Sequence, residues 1–355
     1  MEWVTVDCKD LTIVHALCSD RRGGLEQAFV NLSHCLLALN ANVSLWLPDK
    51  ASYADDLSTL TPRISFEPRG YYDVLSILKT RSWLKEHRPD LIITHNSRAT
   101  AIMRSARLGL GIPQLAFSHS YKHKRMKGAT QTVVLTEHMK AHFVAKGYDP
   151  KQLLVLPNML MSVPDRQLHP APVRKADVCL GFVGRFDPEK GISDLLQALY
   201  QLRQQGHVSL SLKLAGAGAL EPELKAQVRR LQLDEQVVFS GWVNDLDEWM
   251  RDVDLLVVPS LNETFGIAIL DGFCHGKPVI STQVPGPQSL IEAGVSGWLA
   301  EPDNPEDLAR VLDLAIRQQD QWPQIASCAY DKAKAHHYQQ MLPRIAEIVR
   351  GVIDH

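Results

Sequence analysis

Two pairs of ionisable residues stand where chemistry is possible. The first is Glu263 and Asp271, eight positions apart in "VVPSLNETFGIAILDGFCHGKPVISTQVPG" (257–286), a stretch that is otherwise largely apolar. "LLVVPS" ends on a proline and "TFGIAILDGFC" continues without alternation, so the spacing predicts a strand-to-helix turn between them. The backbone N–H groups of Thr264, Phe265, Gly266 and Ile267 are then the unpaired donors of a helix start, a place that attracts phosphate. Glu263 has a plain explanation there as a cap, because acids favour helix N-termini. Asp271 has none. Its helix is apolar at Ile267, Ala268, Ile269, Leu270, Phe273 and Cys274, and a buried carboxylate without a partner is costly. It needs a basic side chain, backbone donors or ligand hydroxyls.

The second pair is Arg185 and Lys190 in "GRFDPEKG" (184–191), at the end of a predicted strand. They flank a turn at Asp187-Pro188, with Gly184 and Gly191 on either side. Such a pair suits a diphosphate, Arg as a fork and Lys as a point charge, or else is a solvated pair in a surface turn. In the first half, Gly23 and Gly24 open a helical stretch, either as a tight turn with unusual backbone or as an anion-binding loop. His119 ends the strand "PQLAFSHS" and has both a structural and a functional reading. His119 and His123 are four apart, but no third ligand accompanies them, so no metal and no cofactor is expected. Lys122, Lys124, Arg125 and Lys127 follow in "HSYKHKRMKG" (119–128). They form either a solvated loop or a contact with anionic lipid or a phosphorylated glycan acceptor.

The elements that must position these residues alternate regularly. "LTIVHAL" (11–17), "VSLWLP" (43–48), "DLIITHN" (90–96), "PQLAFSHS" (113–120), "TVVLT" (132–136) and "LLVLPN" (153–158) read as strands, with helices such as 25–40 and 71–87 between them. The second half repeats the scheme at 178–186, 210–216, 236–241, 255–260 and 277–282. Strands apolar on both faces mean parallel sheets covered by helices, an α/β chain. The proline-rich, aperiodic stretch 161–177 divides it, giving domains 1–160 and 178–335 and a terminal helix at 336–355 that either crosses back to the first domain or closes the second. Two doubly wound, Rossmann-like domains joined there are expected to face each other across a cleft, with ligands at the C-terminal ends of the strands.

The bulk properties narrow the class. With 355 residues, 45% of them hydrophobic, the chain suffices for two cores. Cysteines 8, 18, 35, 179, 274 and 328 form no C-x-x-C pair, which points to a reducing compartment. The start "MEWVTVDCKD" has no signal-peptide pattern and no apolar run is long enough to span a bilayer, so a cytoplasmic location is expected, peripheral to the membrane if the basic loop binds lipid. Residues 1–160 hold 20 Lys and Arg against 14 Asp and Glu, and the remainder holds 18 against 26. The first half thus leans towards an anionic partner. Nucleic acid is not expected, since aromatics do not interleave with the basic residues.

Six ordered blocks carry a resemblance. "VLTEHMKAHFVAKGYDPKQLLVLPN", "GRFDPEKG", "LKLAGAG", "VVFSGWVND", the Glu263 block and "VPGPQSLIEAGVSGWLAEPDNPEDLA" resemble retaining glycosyltransferases of family 4, which have the GT-B fold. The resemblance implies that Gly184, Arg185 and Lys190 bind the donor diphosphate and steady the departing nucleotide. It places Glu263 beside the donor sugar, brings the amides of Thr264, Phe265, Gly266 and Ile267 close to phosphates and sugar, and sets Asp271 on the ribose hydroxyls. The family has glutamate at that last position, one methylene longer. Gly23 and Gly24 match its glycine-rich loop, and His119 matches a histidine that reaches the donor sugar. The implied reaction is transfer, with retention and without a metal, from a nucleotide sugar (UDP-sugar favoured) to a hydroxyl of a glycan or glycolipid acceptor in lipopolysaccharide core or other surface-polysaccharide assembly. Two rivals remain: a nucleotide-sugar epimerase of the same fold, and a catalytically silent partner subunit.

Overall fold

The computed structural model describes residues 7–164, 177–206 and 209–354. Of the expected linker at 161–177, residues 165–176 lie outside the described residues. The chain divides into two compact units: Met1–Met161 together with His336–His355, and Ser162–Ala335.

The first unit carries β1 (Thr12–Leu17), α1 (Gly24–Ala38), β2 (Asn42–Leu47), β3 (Arg63–Ser65), α2 (Val74–His87), β4 (Leu91–His95), α3 (Ser97–Ala106), β5 (Gln114–Ser118), β6 (Gln131–Val134), α4 (Glu137–Ala145) and β7 (Leu153–Val155). The second carries β8 (Val178–Val183), α5 (Ile192–Gln204), β9 (Leu210–Ala215), α6 (Glu221–Arg230), β10 (Val237–Gly241), α7 (Leu246–Arg251), β11 (Leu255–Val258), α8 (Ile267–Cys274), β12 (Val279–Thr282), α9 (Pro285–Leu290), β13 (Trp298–Ala300), α10 (Pro305–Arg317) and α11 (Trp322–Ala335). The last helix, α12 (Tyr338–Ile353), belongs to the first unit.

Both sheets are parallel throughout and share one order. The first runs β3-β2-β1-β4-β5-β6-β7, the second β10-β9-β8-β11-β12-β13. Each therefore reverses direction once, between β1 and β4 and between β8 and β11. A doubly wound sheet binds its ligand at such a reversal, off the carboxyl ends of the strands. Period-two alternation sorts the first sheet's side chains to two cores. Ile13 and Leu17 of β1 join Phe29, Leu36, Ile345 and Val349 beneath α1 and α12, while Val14 and Ala16 join Ile102 and Met103 beneath α3. In the second unit, Leu180, Phe182, Leu212 and Leu214 pack with Leu195 and Leu199 of α5 and Leu308 and Leu312 of α10.

Eleven of the strands coincide with the sequence reading to within a few residues at their ends. Two go beyond it, β3 and β13. Each has only three residues, too few for alternation to register, and each lies at a sheet edge.

Candidate functional site

The site in the second unit is built by the loops that leave β8 and β11, the two strands at the reversal. After β8 the backbone is strapped to the neighbouring loop: the amide of Gly184 donates to Ala215 O at 3.0 Å and that of Phe186 to Ala217 O at 2.9 Å. A one-turn 3-10 helix, Pro188–Lys190, follows. Its carbonyl at Glu189 accepts from the Leu261 amide at 2.8 Å, which ties the β8 loop to the β11 loop. Gly191 closes the turn at φ 64°, and a Cβ there would stand 1.9 Å from the Pro259 carbonyl oxygen. Only glycine fits this approach.

The two loops place Lys190 Nζ 2.6 Å from Glu263 Oε2, both side chains partly buried. Arg185, on the same loop as Lys190, pairs with Asp187 at 2.8 Å and is half exposed. Glu263 bends back so that its Oε1 accepts from the amides of Thr264 at 3.1 Å and Phe265 at 3.5 Å. This corrects the expectation that those amides stand unpaired at a helix start. The helix begins later, at Ile267, with Gly266 as its N-cap at φ 104° and no side-chain cap. The physical reason is that the chain bends at Thr264–Phe265, where the Glu263 carboxylate takes up two of the four amides. Glu263 is therefore not the cap of α8: it serves the bend before the helix, and it also faces a cation.

Asp271 is less enclosed than its apolar neighbourhood predicts. It lies on the partly open face of α8 with Ile267 and Ala268, while Ile269, Leu270, Phe273 and Cys274 are buried. Its carboxylate has no hydrogen-bonding partner among the described residues. Its main-chain carbonyl instead accepts from His275 Nδ1 at 2.6 Å, and His275 Nε2 lies 2.6 Å from Asp247 Oδ1. Desolvation pushes the Asp271 carboxyl up to about 6, with His275 pulling the other way. Of the three kinds of partner that the sequence demanded, neither a basic side chain nor a backbone donor reaches the carboxylate within hydrogen-bonding distance among the described residues, and His275 acts on it only through space.

In the first unit, Gly23 is the N-cap of α1 and Gly24 its first residue, again without a side-chain cap. Gly23 has φ 174°, extended backbone open to any residue, so the reading as a tight turn of unusual backbone does not hold. What crowds it is Glu26, whose Oε2 lies 3.2 Å from where a Cβ would stand. His119 leaves the end of β5. Its Nε2 lies 2.9 Å from Nδ1 of His95, at the end of β4, and the rings stack at 5.0 Å. His95 in turn lies 4.9 Å from His15 of β1, which is stacked on Phe29 and hydrogen-bonded through Nδ1 to Ser33 Oγ at 3.0 Å. All three resist protonation. Burial lowers His119 to about 4 and His15 to about 3, and burial with the two neighbouring histidines takes His95 well down. A small cavity lined by Asn31, His95, Phe117, His119, Leu156 and Asn158 opens beside them.

His15 and His95 were missed by sequence reasoning. The signal was present: each is the polar break in an apolar strand, in "LTIVHAL" and "LIITHN". Lys122, Lys124 and Lys127 are exposed, whereas Arg125 is half-buried against Tyr71 and Tyr72. Among the described residues no three His, Cys, Asp or Glu side chains converge as a metal site, and no helix is long and apolar enough to cross a membrane.

A pair of parallel sheets of this order, each with polar residues gathered at its reversal, defines a GT-B protein. The comparisons agree. The chain is similar to the crystal structure of Anabaena HepE in complex with UDP and glucose, with a TM-score of 0.81 and 21% identity over 96% of this chain and 100% of that one. The model for glycosyl transferases group 1 matches residues 166–332 and that for Glycosyltransferase Family 4 matches residues 22–160. The chain belongs to the group 1 glycosyltransferases. It is 33% identical over 137 residues to the uncharacterized glycosyltransferase MJ1607 of Methanocaldococcus jannaschii, a match that spans 38% of this chain and 35% of that protein. With the lipopolysaccharide core biosynthesis glycosyltransferase LpsE of Rhizobium meliloti it shares 23% identity over 83% of this chain and 86% of that one.

Proposed function

We propose that the chain transfers a sugar, with retention of anomeric configuration, from a UDP-sugar to a hydroxyl of a glycan or glycolipid acceptor in lipopolysaccharide core or other surface-polysaccharide assembly. The observation that carries this reading is the meeting of Lys190 and Glu263, 2.6 Å apart, where the loops of β8 and β11 converge at the sheet reversal. A cation beside an acid at that position suits a diphosphate carrying a sugar. HepE's complex with UDP and glucose and the lipopolysaccharide role in LpsE's name support the donor and acceptor classes.

Lys190 and Arg185 take the charge that grows on the diphosphate, a stabilisation worth about 3 kcal/mol per fixed donor by analogy with oxyanion holes. They do this in place of a metal ion. Glu263 and the turn Thr264–Ile267 face the sugar and phosphates, with Gly184 leaving room at the end of β8. Asp271, lacking a partner of its own, accepts from the ribose hydroxyls. In the first unit the neutral His119 is a hydrogen-bonding group for a sugar hydroxyl rather than a proton shuttle at pH 7, and Gly23 and Gly24 offer the uncapped start of α1 to an anionic group. In the reaction the bond from sugar C1 to the phosphate oxygen breaks, the acceptor oxygen bonds to C1 on the same face, and the hydroxyl proton passes to the departing phosphate. No carboxylate nucleophile is invoked on the other face of the sugar.

The test is nucleotide release from a panel of UDP- and GDP-sugars, with and without a glycan acceptor, in the presence of EDTA. Release that needs acceptor, together with an α- or β-linkage matching the donor by NMR, is the expected result. Release of an epimerised sugar without acceptor, or nucleotide binding with no turnover on any acceptor, would refute the assignment.

A further inference from the structure

The positive charge of the first half is not spread over it. Between Arg69 and Gly128 there are twelve Lys and Arg against three Asp and Glu, whereas the rest of residues 1–160 holds eight against eleven. The same segment carries an unusual apolar surface. Tyr71, Tyr72, Val74, Leu75 and Leu78 are exposed, from 39% at Tyr71 to 72% at Tyr72. They sit at and just before the start of α2, a helix that buries Thr80 and Leu84 and packs Ile77 and Trp83 on the core. Val74, Leu75 and Leu78 lie on its other side. Scattered exposed leucines need no explanation, but five large apolar residues within eight positions do.

The apolar patch and the basic loop are joined. Arg125 lies with its guanidinium 4.1 Å from the ring centre of Tyr71 and 5.1 Å from that of Tyr72, and donates to Tyr72 Oη at 2.8 Å. Around this clamp Lys122, Lys124, Lys127, Lys79 and Arg69 are exposed. The acid in the midst, Asp73, is occupied as the N-cap of α2, accepting from the amides of Ser76 and Arg69. All strands of this sheet run parallel, so the loops after β3 and β5 leave the same edge as Gly23 and His119.

We propose that this face docks on an anionic lipid bilayer. Tyr71, Tyr72, Val74, Leu75 and Leu78 enter the headgroup layer, and the surrounding Lys and Arg meet acidic headgroups. Tyrosines beside lysines around an aliphatic patch are the composition that suits a membrane interface, where ring and hydroxyl find different media. A soluble acidic partner would explain the charge but not the aliphatic residues. A second copy of this chain would bring like charge against like. The inference rests on the glycolipid form of the acceptor proposed above, and it adds where the lipid surface lies: at the edge of the sheet that bears His119.

The test is sedimentation with vesicles of phosphatidylcholine alone or with phosphatidylglycerol, at low and high salt, without donor or acceptor. The full chain should bind only the anionic vesicles and lose most binding at high salt. L75E/L78E should weaken binding at least tenfold while its melting temperature stays near that of the parent. K122Q/K124Q/K127Q should weaken it by a similar factor at low salt. The proposal is overturned if the parent ignores anionic vesicles at low salt, or if L75E/L78E sediments as the parent does. It is equally overturned if light scattering shows a dimer that L75E/L78E dissolves, since the face then belongs to a second copy. Because no sugar transfer is measured, failure here leaves the transferase reading to stand or fall by nucleotide release.

Discussion

The carboxyl edges of the two sheets have the same topology and opposite electrostatics. At the edge of the second sheet charges are present and held by partners: Lys190 by Glu263 and Arg185 by Asp187. At the edge of the first sheet His15, His95 and His119 form a cluster that burial keeps neutral. In the proposed reaction the edge of the second sheet takes a ligand that brings charge and carries it away again. At the other, the buried histidines offer hydrogen bonds without charge, and the cations stand outside them on the exposed loop 122–127. Fixed dipoles and ions stabilise a developing charge best when they need not reorganise, and each of the paired residues in the second unit is already oriented by its acid. Equal topology therefore does not imply equal work; the side chains at the reversal decide it.

The sharpest way to break this contrast is to remove a cation. Lys190→Ala and Arg185→Ala are each expected to lower kcat at least a hundredfold, which corresponds to about 2.7 kcal/mol of transition-state stabilisation. Lys190 should show the larger loss, because its removal also leaves Glu263 without its cation. Near-normal kcat in either variant would remove the basis for calling the second edge the seat of the departing diphosphate. Next in size is the turn that joins the two loops. Gly191→Ala puts a side chain into left-handed backbone and against the Pro259 carbonyl, a cost of about 2 kcal/mol. In a body of this size that is a fall in Tm of roughly 4–8 °C. A variant that melts with the parent would show that the loops do not need this close approach.

The two edges were unequally legible in the sequence. The strands could be read because parallel strands buried on both faces appear as unbroken apolar runs, and the loops of the second unit could be read because Gly-Arg-…-Lys-Gly and Glu-Thr-Phe-Gly punctuate them. The pairing of Lys190 with Glu263, 73 positions apart, was not legible, since it depends on β8 and β11 lying side by side. The contacts of His15, His95 and His119 were hidden for the same reason: strand order, not spacing, brings them together. Asp271 shows the converse. Sequence alone showed that it needed a partner, and the described residues supply no hydrogen bond to its carboxylate. The apolar start of α2 was read only as helix, because periodicity reports that a face is apolar and not whether anything covers it.

On the neutral edge, the hydrogen bond between His95 and His119 determines which nitrogen of His119 carries its proton, whichever of the two rings donates. His95 is thus a positioning residue. His95→Phe keeps a ring in the stack and removes the bond, and is expected to lower kcat about tenfold, or about 1.4 kcal/mol, with little change in KM for the donor. His95→Gln, which can still reach His119, should recover part of that loss. If Phe and Gln behave alike, packing rather than the hydrogen bond explains the residue. The pH profile sharpens the point. Because burial lowers His119 to about 4 and takes His95 well below the usual imidazole range, the parent's kcat should show no limb from either histidine between pH 6 and 8.

The smallest expected effect tests Asp271, whose carboxylate has no hydrogen-bonding partner among the described residues. Burial raises the Asp271 carboxyl above its unfolded value, to about 6, so its charge opposes folding: stability from this group is greatest below pH 4 and declines as pH rises through 6. A ribose that donates to the carboxylate favours the ionised form and partly reverses that penalty. UDP should therefore bind more weakly as pH falls through 6, beyond the change that the phosphate's own protonation causes. Asp271→Asn separates the two contributions. It should weaken UDP binding several-fold at pH 7.5, and by calorimetry its Kd should follow only the phosphate's titration down to pH 5. A parent and a variant whose Kd values rise in parallel as pH falls across that range would place the ribose elsewhere, and would leave the charged edge of the second unit with a carboxylate that no ligand explains.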